Sequence, residues 1–136
     1  MIILHGPSLI HSIADPSIRA LTSHRFSQII SGEPYDYDQH GYMIIAEPGD
    51  SVESLESETC CSILHNAFDG THFGDSDFTP CFEVLEEHGN CYEMLFILND
   101  EGFAINIFIP KHPGIDPQLL ALCTEYAVPA AALTHS

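Results

Sequence analysis

The sequence predicts a small single-domain α+β fold, an antiparallel sheet centred on a hairpin at about residues 91–110 and packed with about three helices. Three observations carry that expectation. A chain of 136 residues makes one ordinary domain, and a hydrophobic fraction of 45%, with eight Phe and five Tyr, can fill its core. Two β-rich runs, CYEMLFIL (91–98) and FAINIFI (103–109), flank the short connection NDEG (99–102), which is the signature of an antiparallel hairpin. Two further segments open on Asp-Pro, at 15–16 and 116–117, and continue with apolar residues at helical spacing.

Taken in order, MIIL (1–4) reads as a short strand. Asp15 can cap the first free amides of a helix, and Pro16 suits its first position because a missing N–H costs nothing there. Ile18, Leu21, Phe26 and Ile29 supply its apolar stripe, and Gly32 after Ser31 is a natural stop. Arg25 falls on that stripe, where it either snorkels past the core edge or pairs with a carboxylate. GEPYDYDQHG (32–41) is a loop by composition, and YMIIAE (42–47) is a strand. Asp50 with Glu53 fits a capping box for a second helix from Ser51 to about Phe68. DGTHFGDSDFTP (69–80) is a second loop, CFEVLEE (81–87) is a strand or a short helix, and HGN (88–90) is a turn.

Both hairpin strands are apolar on both faces, and only Glu93 and Asn106 break the pattern. Such strands need cover on two sides, from helices or from a second copy of the chain in a homodimer. The third helix follows Asp116-Pro117 through Leu119, Leu122, Cys123 and Tyr126; Pro129 ends it, and 129–136 is expected to be a frayed tail of a domain spanning 1–136.

Charge narrows the function classes. Twenty acidic residues stand against three basic ones, Arg19, Arg25 and Lys111, for a net charge of −17. A small domain ordinarily carries a net charge of magnitude about 2–8. This surface repels phosphate backbones and anionic lipid, so direct nucleic-acid or membrane binding is not expected, and it attracts basic proteins and divalent cations. Five cysteines form an odd set without a secreted framework, and no signal peptide or spanning segment is visible; reduced thiols and a cytoplasmic location are expected.

The stretch 58–78 holds most of the chemistry-bearing residues. On a helical wheel Cys60 joins the apolar face, while Cys61 turns about 100° away to share a surface with Glu58 and His65. With His72 from the following loop, Glu58, Cys61 and His65 are the candidate metal ligands, of types that suit zinc, although neither CxxC nor HExxH is present. As a nucleophile Cys61 is disfavoured, because surrounding carboxylates raise a thiol's pKa. Asp69, Asp75 and Asp77 are oxygen ligands for calcium without EF-hand spacing. Tyr35, Asp36, Tyr37 and Asp38 alternate ring and carboxylate, a pattern suited to gripping Arg or Lys side chains.

The sequence therefore favours a protein-binding domain that engages a basic partner, with Tyr35, Asp36, Tyr37, Asp38, Asp69, Asp75 and Asp77 as its contact residues. It would inhibit or regulate a nucleic-acid-binding protein by presenting carboxylates where phosphates go. No cofactor is required by this reading. The alternatives are a small metal-dependent enzyme using Cys61, His65 and His72, and a non-catalytic assembly subunit recruited through the hairpin.

Overall fold

The computed structural model describes residues 1–59, 81–97 and 104–129. It is an α+β fold built on one mixed, mostly antiparallel sheet. The strands are β1 (Ile2–Leu4), β2 (Tyr42–Ile45), β3 (Cys81–Glu87), β4 (Cys91–Ile97), β5 (Ala104–Pro110) and β6 (Val128–Pro129). They lie in the order β1-β2-β5-β4-β3-β6. The helices are α1 (Pro16–Ile30), α2 (Tyr37–His40), α3 (Val52–Thr59) and α4 (Pro117–Tyr126), preceded by a 3-10 helix over Pro7–Ser12.

The expected hairpin is the centre of the sheet. β4 and β5 pair antiparallel from Cys91 opposite Pro110 to Ile97 opposite Ala104. β3, which composition left open between strand and helix, is a strand and extends the meander antiparallel to β4. Two pairings are parallel, β2 with β5 and β3 with β6. Parallel neighbours need a crossover between them, which no short-range signal in the sequence announces. The strand β6 also takes in Pro129, the first residue of the expected tail; residues 130–136 lie outside the described residues.

Each sheet face has its own core. On one, Ile44, Met94, Phe96, Ile105, Ile107 and Ile109 pack with Val52 and Leu55 of α3 and Leu119 and Cys123 of α4. On the other, Leu4, Met43, Ile45 and Phe108 pack with Ile10 of the 3-10 helix and Ile18 and Phe26 of α1. The two-sided apolar pattern of the hairpin is thus covered within one chain.

Local signals explain the helix starts. Asp15 accepts hydrogen bonds from the amides of Ser17 (2.8 Å) and Ile18 (3.4 Å), and Asp116 accepts from Gln118 (3.0 Å), each with Pro at the first helical position. At α3 the reciprocal cap is shifted by one residue from the expected Asp50–Glu53 box. The Ser51 amide donates to Ser54 Oγ (2.7 Å), and the Ser54 amide to Ser51 Oγ (3.1 Å). The Asp50 carboxylate is drawn elsewhere, to the Glu47 amide (2.9 Å) and the Met1 amine (3.0 Å). The segment 32–41, expected to be a loop throughout, contains α2. Its buried His40 accepts from the Asp36 amide at Nδ1 (2.9 Å), and its exit requires Gly41. Gly41 has φ 78°, and a Cβ there would lie 1.8 Å from the Ala104 carbonyl oxygen, so no other residue fits.

Candidate functional site

The alternation of β4 aims Tyr92, Met94 and Phe96 into one core and Glu93 into the other. Glu93 is 2% exposed. A buried carboxylate is tolerated only if its charge and lone pairs are met. Here all are met. Arg25 of α1 forms a fork, Nε to Oε2 and Nη2 to Oε1, both 2.8 Å. Asn106 Nδ2 of β5 donates to Oε2 at 2.7 Å, and His88 Nε2 lies 2.9 Å from Oε1. An ionised carboxylate has about four lone-pair positions, and this network fills them.

The neighbouring elements hold each partner in place. Ile18, Thr22 and Phe26 seat α1 on the sheet, which brings Arg25 over Glu93.

 The buried stripe Ile18, Thr22 and Phe26 keeps that face inward, and the Gln28 side chain accepts from Arg25 Nη1 at 2.7 Å. His88 sits in the tight turn between β3 and β4, where its amide donates to the Cys91 carbonyl (2.8 Å) and Gly89 takes φ 75°. Glu86 stands directly opposite Glu93 on β3, and its Oε2 lies 3.3 Å from His88 Nε2. Like charges facing each other across a strand pair destabilise it, so the cationic and N–H partners at this point are a structural requirement.

Burial would raise the Glu93 pKa, but hydrogen bonds from His88 and Arg25, the Arg25 charge and the Asn106 amide outweigh it and hold the group below the usual carboxylate range. Arg25 is pushed up against its own desolvation by the bond to Glu93. A second ion pair lies on the opposite face of the same hairpin. Lys111 Nζ meets Glu87 Oε2 at 2.8 Å and sits 4.9 Å above the Tyr92 ring. Lys111 lowers the Glu87 pKa, and Glu87 raises that of Lys111. Burial pushes the thiols of Cys91 and Cys123 up to about 12, which leaves them as core packing groups and not nucleophiles.

Of the residues selected from sequence, Cys61, His65, His72, Asp69, Asp75 and Asp77 lie outside the described residues. Glu58 is exposed on α3. The tyrosine segment is brought together, although not as a free loop. Tyr35 packs edge-on against Phe26, with ring centroids 5.9 Å apart, and its hydroxyl donates to the Gly41 carbonyl. Burial, with Tyr37 and Asp36 nearby, pushes the Tyr35 pKa up to about 12. Tyr37 is 40% exposed and stacks on Tyr42 at 5.8 Å, with His5 completing the aromatic group. Asp36 is exposed, and Asp38 is placed in α2 by its backbone. Tyr37 and Asp36 therefore remain on the surface, while Tyr35 is a structural residue.

Glu86, His88 and Glu93 were not selected from sequence. The available signal was the pair of polar residues, Glu93 and Asn106, interrupting two apolar strands, together with Arg25 on an apolar stripe. Among the described residues no helix is long and apolar enough to cross a membrane. Comparison of the chain with protein-family models, curated proteins and solved structures finds no match. Fold and site together define a small α+β domain with a charged network buried beneath α1.

Proposed function

We propose that this chain is a protein-binding domain whose carboxylate-rich surface engages a basic partner. One observation carries the reading: the chain spends its own cations internally. Arg25 is consumed by Glu93 and Lys111 by Glu87, which leaves the exposed Arg19 as the remaining Lys or Arg side chain. Between residues 47 and 58 the sequence places Glu47, Asp50, Glu53, Glu56 and Glu58 without a Lys or Arg. The field outside the domain is accordingly negative and long-ranged at low salt, and it favours encounter with a cationic surface. Exposed Tyr37 beside Asp36 supports the same reading, because a guanidinium gains from a ring face and a carboxylate together. The partner class is a nucleic-acid-binding or otherwise Arg- and Lys-rich protein, held by carboxylates standing in for phosphates.

The test is binding to an Arg-rich peptide across a salt series. Affinity should fall steeply from about 50 to 500 mM salt, as expected for screened charges. The double change Glu53→Lys and Glu58→Lys should weaken binding more than Glu33→Lys with Glu125→Lys, which alters net charge equally. Absence of binding at low salt would end the proposal, and so would equal losses from the two double changes, which would reduce the effect to net charge.

A further inference from the structure

We propose that Glu86, His88 and Glu93 form a binding site for a divalent transition-metal ion of the zinc class, with Arg25 and Asn106 orienting the inner ligand. The three donor atoms lie within 4.8 Å of one another, with His88 Nε2 at the hub, 3.3 Å from Glu86 Oε2 and 2.9 Å from Glu93 Oε1. A tetrahedral ion with bonds of about 2.0–2.1 Å separates its ligand atoms by about 3.3 Å. The Glu86–His88 spacing already has that value, and the Glu93–His88 spacing reaches it by opening a few tenths of an ångström.

The ion would sit between the three donor atoms. His88 Nε2 faces two carboxylate oxygens, Glu93 Oε1 at 2.9 Å and Glu86 Oε2 at 3.3 Å. One N–H serves two carboxylates poorly, and only the Glu93 contact has hydrogen-bond geometry. A metal on Nε2 meets both. The remaining partners of Glu93 stay in use: Asn106 and the Arg25 fork grip the carboxylate from its other lone pairs, as outer-shell groups do for ligating carboxylates. Glu93 is the buried inner ligand, whereas the His88 and Glu86 side chains, 15% and 18% exposed, open the site to solvent. The charges of Glu86, Glu93 and Arg25 sum to −1, which attracts a divalent ion and leaves its complex at +1. One imidazole with two carboxylates selects zinc, manganese or iron(II) over calcium, which needs six or more oxygens.

Cobalt(II) is the probe, titrated into the chelator-stripped full chain and read by calorimetry and visible absorption. The expected result is one equivalent per chain with a d–d band and no thiolate charge-transfer band. Affinity should fall at least about tenfold in both Glu86→Gln and His88→Gln and remain unchanged in Cys61→Ser. Urea midpoints measured in chelator check that the variants fold; the Glu86 side chain reaches solvent, so Glu86→Gln alone decides if His88→Gln unfolds. No saturable binding overturns the proposal. Binding that survives Glu86→Gln, or that carries a thiolate band lost in Cys61→Ser, overturns it equally.

Discussion

Two ion pairs sit on opposite faces of the same hairpin and use the same chemistry to different ends. Glu86 and Glu87 are consecutive, so strand alternation sends one toward Glu93 and Arg25 and the other toward Lys111. Arg25–Glu93 is a two-pronged bond in a site where the carboxylate is 2% exposed. Lys111–Glu87 is a single contact at the rim, between side chains 33% and 40% exposed. Solvent screens the second and its removal leaves both groups in water; removal of one partner from the first strands a charge in the core. What an ion pair does for a fold is thus set by where its weaker-hydrated partner ends up, and not by its distance, which is 2.8 Å in both.

Breaking the buried pair should have the largest effect. Arg25→Ala leaves Glu93 uncompensated and is expected to cost about 3–5 kcal/mol in urea unfolding. A loss below about 1 kcal/mol would mean that water reaches Glu93 and the contrast is false. Replacing the whole unit by Arg25→Met, Glu93→Leu and Asn106→Leu should recover most of that loss, because apolar packing of similar volume often matches a buried ion pair. If the triple variant is as unstable as Arg25→Ala, packing beneath α1, and not desolvation, governs the site.

Acid sharpens the comparison. The Glu93 pKa is lowered in the fold, so its contribution is complete above the unfolded value of 4.5 and is lost as pH falls through the lower folded value. Between pH 7 and 5 stability should hold or rise, since protons relieve repulsion among the carboxylates of a −17 chain. Below pH 4.5 it should drop, and the triple variant should show a shallower drop in parallel urea series. An identical acid limb in the two proteins would assign the loss to other carboxylates. Smallest of all, Lys111→Ala should move the urea midpoint by no more than replicate scatter, with any difference vanishing in 1 M salt.

Helix starts and the hairpin were legible because their causes are local. Asp15-Pro16 and Asp116-Pro117 each supply a cap and a compatible φ within a few residues, and the β4–β5 pairing follows from two apolar runs either side of a turn. Legibility failed in proportion to sequence distance. The parallel pairing of β2 with β5 joins residues 42–45 to 105–108, and α2 is held by Gly41 against Ala104, a contact invisible from the loop composition. Even the α3 cap moved by one residue, because the carboxylate of Asp50 had a better offer from the Met1 amine.

For the candidate site the divide is sharper. Sequence alone determined the charge of −17, the type of fold and the two anomalies that mark the network, a Glu and an Asn in otherwise apolar strands. It could not choose which cation answers Glu93, since Arg25 lies 68 residues away and Asn106 lies 13 away. Only the register of β3, β4 and β5 and the docking of α1 bring Glu86, His88, Asn106 and Arg25 to one carboxylate. The physical reason is range: backbone propensity acts over a few residues, whereas the cost of burying a charge is met by whichever groups the folded chain carries to it.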